Sequence, residues 1–170
     1  NTMVGATLSI GVAIVHHMEP LRTSLDRARD AERHAKKKRN ALAVALHTRG
    51  GEPRIVSEQW QANHDLTVWQ EWIDAFRNGS LSHGFPYELR LLAREVAPVF
   101  DESSKAEDVI PVDTLKAEAQ RILDRKKGSA GEAAPPESLR EAIGGTRGSE
   151  CLENLVAKLV ICRFLAQYPE

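Results

Sequence analysis

The stretch TLSIGVAIVHH, residues 7–17, alternates bulky and small side chains. In a β-strand the bulky residues share one face, and they are Leu8, Ile10, Val12 and Ile14. The other face carries Thr7, Ser9, Gly11 and Ala13. A face this small predicts that something lies very close to the strand, either another part of the protein or a ligand.

The next two segments predict what covers the small face. Residues 19–38, EPLRTSLDRARDAERHAKKK, place Pro20 near a helix start and form a stripe of mostly small residues, namely Leu21, Leu25, Ala28, Ala31 and Ala35. Residues 40–48, NALAVALHT, alternate alanines with Leu42, Val44 and Leu46. We therefore expect a strand, a helix and a strand, with the two strands parallel and the alanine-rich helix packed on their small faces.

The remainder of the chain has helical periodicity. Asp65 and Gly79 are typical N-cap and stop signals around a helix that carries Leu66, Trp69, Trp72, Ile73 and Phe76. Three further helices are predicted by the apolar sets Leu89, Leu92 and Val96; Leu115, Ala119 and Ile122, capped by Asp113; and Leu152, Leu155, Val156, Leu159, Ile161 and Phe164. Residues 128–138, GSAGEAAPPES, have the composition of a linker. We expect the last helix to lie at the centre of a small bundle.

Composition and charge exclude few function classes. The 170 residues are 42% hydrophobic and 28% charged with a net charge of −1, which is typical of a folded globular protein. Cys151 and Cys162 would lie roughly 16 Å apart on one helix, beyond disulfide reach, so we expect reduced thiols. No apolar run approaches the ~20 residues of a membrane span, and we predict a cytoplasmic protein without membrane contact.

No self-sufficient catalytic motif is present, but three groups of residues could bind a ligand. His16 and His17 could face a ligand or a metal, or could be ordinary turn residues. The run HAKKKRN, residues 34–40, places cations where a helix dipole favours them, or where Lys36 and Arg39 reach a triphosphate. The tryptophans, Trp60, Trp69 and Trp72, could stack on bases, although their spacing favours core packing.

The first part of the chain resembles two related families. TLSIGVA, followed by a helix that ends in AKKKRNALAVAL, resembles the second half of a GGDEF-type nucleotide cyclase domain. The longer stretch from Ile14 to Glu52 resembles more closely the palm domain of the large subunit of type III CRISPR effector complexes. Lys38 departs from that family, in which a glycine commonly precedes the Arg-Asn pair. The helical segment of residues 60–92 also resembles the C-terminal helical domain of that family.

The resemblance implies an α+β fold and an RNA-guided antiviral function. Residues 1–58 would form the C-terminal half of a ferredoxin-like, GGDEF-like palm with a βαβ core, and residues 59–170 a helical domain. Such palms convert ATP into cyclic oligoadenylates after target RNA is captured, with Mg²⁺ or Mn²⁺ held by an aspartate pair. That aspartate motif is missing here, so we expect the C-terminal piece of a larger subunit, inactive alone and without catalytic or metal-binding residues of its own.

The resemblance also implies particular site residues and partners. The nucleotide-binding residues carried over are Ser9, Gly11, His17, Lys36 and Arg39. The expected partners are small helical subunits and other proteins of the complex, together with guide RNA and target RNA, with exposed Lys126 and Lys127 toward RNA. Two alternatives stay open, namely a fragment of a GGDEF-type diguanylate cyclase and a non-catalytic assembly module.

Overall fold

A computed structural model describes residues 7–60, 66–96, 111–125 and 134–168. Its strands are β1 (Ile10–Ile14), β2 (Ala41–Leu46) and β3 (Arg54–Gln59). The helices are α1 (Leu21–Lys38), α2 (Thr67–Arg77), α3 (Phe85–Val96), α4 (Val112–Arg125), α5 (Glu137–Gly144) and α6 (Ser149–Leu165). The chain divides into two compact units, Asn1–Asp65 and Leu66–Glu170. The predicted α+β class, a partial palm followed by helices, is confirmed.

The first unit is a three-stranded mixed sheet in the order β1-β2-β3. β1 and β2 are parallel, as expected for strands joined by a helical crossover, and Gly11 is aligned with Ala43. β2 and β3 are antiparallel, with Ala43 opposite Ser57. This register places the small residues of all three strands on one face of the sheet.

The helix α1 packs on this small face, as the sequence predicts. A Cβ atom added to Gly11 would lie 2.1 Å from the backbone nitrogen of Glu32 and 2.6 Å from the carbonyl carbon of Ala31. Ala35, Ala41 and Ala43 form a fully buried cluster between the helix and the sheet. The glycine and alanines therefore let the backbone of α1 approach the backbone of the sheet directly.

The bulky face of β1 differs from that of β2. Leu8 and Val12 are 61% and 41% exposed, whereas Val44 and Leu46 on β2 are buried. The large side chains of β1 thus lie on the surface of the described residues, and the small side chains lie beneath α1.

The strand β3 extends the sheet further than the predicted two-strand core. It follows a turn at Gly50 and Gly51 and pairs with β2 over its full length, from Arg54 opposite Leu46 to Gln59 opposite Ala41. The domain boundary expected after residue 58 falls inside this strand. The two compact units divide between Asp65 and Leu66, and the domain boundary after residue 58 stays a prediction.

The second unit is helical, and α6 contributes more buried residues than any other described helix. The predicted apolar positions that are buried are Trp69, Trp72, Phe76, Leu89, Leu115, Ala119, Ile122, Leu152, Leu155, Val156, Leu159 and Ile161. Gly79 has φ 76°, a conformation suited to the end of α2. Asp113 lies within the first turn of α4, where it pairs with Lys116, rather than before the helix. The expectations for Asp65, the Val96 side chain, Lys126 and Lys127 lie outside the described residues.

The helix α5 was missed by the sequence analysis. Its first residues, Glu137 and Ser138, end the stretch that has a linker composition, and Pro136 occupies the N-cap. Proline is well tolerated at a helix start because it lacks only an N–H group that would have no helical partner. Leu139 and Ile143 are buried, so α5 is part of the helical core.

A lysine lies inside the helical core where the pattern predicts only apolar residues. The Lys158 ammonium lies 5.0 Å from the ring centroid of Trp69 and 4.9 Å from that of Trp72. The Trp72 indole N–H donates to Ser138 Oγ at 2.9 Å, and this hydroxyl donates to Glu71 Oε2 at 2.6 Å. These contacts link α2, α5 and α6 through polar groups.

Two further expectations concern thiols and membranes. Cys151 is exposed and Cys162 is buried, and these two described residues form no disulfide bond. Among the described residues, none of the helices is long and apolar enough to cross a membrane.

We predict that Gly11→Ala destabilises the first unit by about 1–3 kcal/mol or more, because the added Cβ meets helix backbone that cannot rotate away. Urea unfolding followed by circular dichroism measures the effect. Gly50→Ala is the matched control, because a Cβ there has no neighbour within 4 Å. Equal stability of the two variants would contradict the close packing of α1 on β1.

Candidate functional site

The junction between α1 and β2 carries the strongest concentration of positive charge in the described first unit. Lys36, Lys37 and Lys38 form the last turn of α1, and Arg39 is its C-cap. The Arg39 backbone N–H donates to the carbonyl oxygens of Ala35 and Lys36 at 3.0 and 3.2 Å, which ends the helix. The cations also lie at the negative end of the helix dipole, which favours them without any ligand.

The four cations have different surroundings. Lys36 forms an ion pair of 2.7 Å with Glu32, one helical turn earlier. The Lys38 ammonium donates to the Ser57 carbonyl oxygen of β3 at 2.6 Å. Lys37 and Arg39 are exposed, and within the described ranges their side chains have no hydrogen-bond or ion-pair partner. These two side chains are therefore available to an anion.

The backbone at this junction has an uncommon conformation. Arg39 has φ 56° and ψ 149°, and Asn40 has φ 45°. Non-glycine residues with positive φ cost roughly 1–3 kcal/mol each and persist only when surrounding contacts hold them. The sequence analysis noted the unusual Lys38, but the positive φ angles occur at the two residues that follow it.

Residues at the end of β3 hold this backbone. The Gln59 Nε2 donates to the Lys38 carbonyl oxygen at 2.7 Å and lies 3.5 Å from that of Arg39. The Trp60 N–H donates to the Asn40 carbonyl oxygen at 2.8 Å. No sequence motif marks Gln59, although the alternation after the Gly50–Gly51 turn could have predicted β3 and its end.

The predicted nucleotide-binding residues lie at two ends of the sheet. Ile10 is aligned with Leu42 in the parallel pair, so Ser9 lies at the same end as Arg39 and the last turn of α1. The Trp60 indole N–H also reaches this end, where it donates to the Leu8 carbonyl oxygen at 2.9 Å. His17 follows the opposite end of β1. The fold therefore brings Ser9, Lys36 and Arg39 to one end of the strands and places His17 at the other end.

The close approach of α1 explains why residue 11 is a glycine. Its Cα faces the backbone of Ala31 and Glu32, so a ligand on that side would meet α1. Close packing therefore requires a glycine at this position, and the binding role of Gly11 stays a prediction.

The opposite end of the sheet contains three histidines. The rings of His16 and His17 lie 4.3 Å apart, and His16 Nδ1 accepts a hydrogen bond from the Met18 N–H at 3.2 Å. His47 Nε2 is buried and has no partner among the described residues. Burial lowers the pKa of His47, the Arg27 cation lowers it further, and Glu19 partly offsets the two. His47 is therefore held more firmly in its neutral form than an ordinary histidine.

Metal-ligating residues are scattered in the part of the chain that the structure describes. No group of three or more His, Cys, Asp or Glu side chains in these ranges could hold a metal ion. A histidine doublet alone provides too few ligands for a metal site.

The first unit thus combines a mixed sheet, a crossover helix and a cationic junction. Residues 1–43 match the model of the family Cas10/Cmr2, second palm domain. The match covers β1, α1 and the first residues of β2, and it supports a Cas10-type large subunit of a type III CRISPR system. No curated protein and no solved structure matches the chain.

We predict that the stability of the first unit falls as the pH decreases from about 7 toward 5.5 because of His47. Its pKa is lowered in the folded state, so below about 6.5 the unfolded chain binds more protons and is favoured. His47→Gln removes this contribution and flattens the dependence of melting temperature on pH. His17→Gln, at an exposed histidine, is the control. A slope that is unchanged in His47→Gln would contradict the prediction.

Proposed function

We propose that this chain is part of a large subunit whose palm converts ATP into cyclic oligoadenylates when the effector complex has bound target RNA. In this proposal Lys36 and Arg39 bind the triphosphate, and Ser9 contacts the nucleotide at the same end of the strands. The family match over residues 1–43 supports the class of subunit. The conversion of ATP into cyclic oligoadenylates is proposed in addition to this class.

One observation carries the proposed binding role, namely the exposed cations at a junction held by hydrogen bonds from the end of β3 and from Trp60. Arg39 has no side-chain partner in the described ranges, and its backbone is fixed by hydrogen bonds from β3. A guanidinium on a fixed backbone is well suited to phosphate oxygens, because its planar donors form paired hydrogen bonds. An ordinary solvated helix end would not need such a fixed turn.

The ion pair of Lys36 does not exclude it from the site. The side chains of Lys36 and Glu32 are 63% and 43% exposed. Exposed pairs of this kind contribute only about 0–1 kcal/mol. A triphosphate, which carries several negative charges, can therefore compete with Glu32 for the lysine.

The metal chemistry belongs to other residues in this proposal. Mg²⁺ or Mn²⁺, held by carboxylates outside the described residues, would activate the attacking ribose hydroxyl and stabilise the leaving pyrophosphate. The residues of this chain bind and orient the triphosphate. We accordingly expect the chain alone to leave ATP unchanged.

Two alternatives make different predictions. A diguanylate cyclase would use GTP, whereas the palm proposed here would use ATP. An assembly module would bind partners without any need for Lys36 or Arg39. The product formed from each nucleotide by the full-length subunit distinguishes the three functions.

We predict that Lys36→Ala and Arg39→Ala in the full-length subunit each weaken ATP binding about tenfold or more. Each variant removes a charge-assisted hydrogen bond worth about 1.5–3 kcal/mol, whereas loss of a dipole interaction alone would cost ~0.3–1 kcal/mol of stability. Calorimetric titration with ATP measures the affinity, and thermal melting measures the stability.

Arg49→Ala is the matched control, since Arg49 is an exposed arginine at the opposite end of the same sheet. Lys37→Ala, studied in parallel, shows whether the neighbouring lysine is the one that binds. If Lys36→Ala, Lys37→Ala and Arg39→Ala all bind ATP and form cyclic oligoadenylates like the parent, the phosphate-binding role is wrong.

We further propose that the helical unit binds the small helical subunits of the complex, and that guide and target RNA are contacted through this assembly. On α3, Tyr87 and Leu91 are one turn apart and are 44% and 59% exposed. The Arg163 guanidinium lies 5.2 Å from the Tyr87 ring centroid and donates to its hydroxyl at 2.8 Å. Tyrosine and arginine around an apolar centre are typical of protein interfaces.

We predict that Leu91→Glu weakens binding of the purified small subunit at least tenfold, because a carboxylate would be buried without a partner in the interface. Surface plasmon resonance measures the affinity. Leu66→Glu is the control, because Leu66 is also an exposed leucine of this unit. Equal binding by the two variants would place the interface elsewhere.

A further inference from the structure

Gln59, the last residue of β3, lies outside the matched segment of residues 1–43 but contacts the cationic junction. Its side-chain amide nitrogen lies 2.7 Å from the Lys38 carbonyl oxygen and 3.5 Å from the Arg39 carbonyl oxygen. The first distance is that of a good hydrogen bond, and the second is at the long limit. One neutral side chain thus reaches the carbonyl groups of the two peptide bonds that lie before and after Arg39.

These carbonyl groups belong to the part of the backbone that most needs support. Arg39 and Asn40 both have positive φ, a conformation that L-residues rarely adopt without surrounding contacts. The backbone pair between Trp60 and Asn40 fixes the second residue, with an N···O distance of 2.8 Å. Gln59 supplies a bond on the other side of Arg39, at the Lys38 carbonyl oxygen, and this bond depends on a side chain that mutation can change.

We propose that Gln59 is a positioning residue for Arg39, holding the Lys38–Asn40 backbone so that the guanidinium is directed toward the triphosphate chain of a nucleoside triphosphate. The inference rests on the proposed function. Gln59 does not contact the anion itself: its donor group is used by the two backbone carbonyls. Its contribution passes entirely through the conformation of Arg39, because a cation on a relaxed backbone would sample many directions.

The experiment uses the full-length subunit and inorganic tripolyphosphate as the probe. Gln59→Met keeps the length of the side chain and removes both donor hydrogens. We expect about three- to tenfold weaker tripolyphosphate binding, with a melting temperature close to that of the parent. In the Arg39→Ala background the same substitution should cause no further loss, because the group that it positions is already gone.

Control variants make the outcomes distinguishable. Gln167→Met makes the same chemical change at an exposed residue of the helical unit and should leave binding unchanged. If Gln59→Met fails to fold, Gln59→Asn provides the same test, since its amide is one methylene too short to reach both carbonyls.

Each result has a separate meaning. Unchanged binding in Arg39→Ala would overturn the phosphate site itself. Weaker binding in Arg39→Ala but unchanged binding in Gln59→Met would leave that site intact and overturn the positioning role. Equal losses from Gln59→Met in both backgrounds would also overturn it, because Gln59 would then act independently of Arg39.

Discussion

The contact between the backbone of α1 and Gly11 determines the geometry of the first unit. No side chain separates the helix from β1 at this point, because a Cβ on Gly11 would overlap the Glu32 backbone. An 18-residue helix is roughly 27 Å long, whereas strands of five or six residues span roughly 17–20 Å. Once the helix is fixed against Gly11, the position of its last turn beside the start of β2 is fixed as well, and the lysines with it.

The second constraint is the conformational cost of Arg39 and Asn40, the two residues that connect α1 to β2. Two consecutive non-glycine residues with positive φ would cost roughly 2–6 kcal/mol together if nothing held them. The bonds from Lys38 to Ser57, from Gln59 to Lys38 and from Trp60 to Asn40 all involve β3 or the residue that follows it. A strand that lies beyond the family match is thus required for the conformation of residues within and next to it.

Features that depend on a local residue pattern could be predicted from the sequence. Contacts that depend on the register between strands could not. The alternation in β1 and the alanine stripe of α1 are short-range signals, and they correctly predicted the small interface between them. The bond from Gln59 to Lys38 joins residues 21 positions apart and follows from the pairing of β2 with β3, which no local pattern encodes. Likewise, α5 begins directly after Pro136 in a linker-like composition, and the buried Lys158 ammonium lies over two tryptophan rings.

The sheet also limits how the five predicted binding residues can act together. Ser9 and Arg39 lie at one end of the parallel strands, and His17 lies beyond the other end, with β1 alone spanning roughly 17 Å between them. A single phosphate group cannot contact both His17 and Arg39 across that distance. In the described arrangement His17 instead shares its end of the sheet with His16, and a role for it in nucleotide binding requires a ligand group separate from the triphosphate. The two ends of the sheet are therefore chemically distinct, with exposed cations at one and three histidines at the other, where burial lowers the pKa of His47.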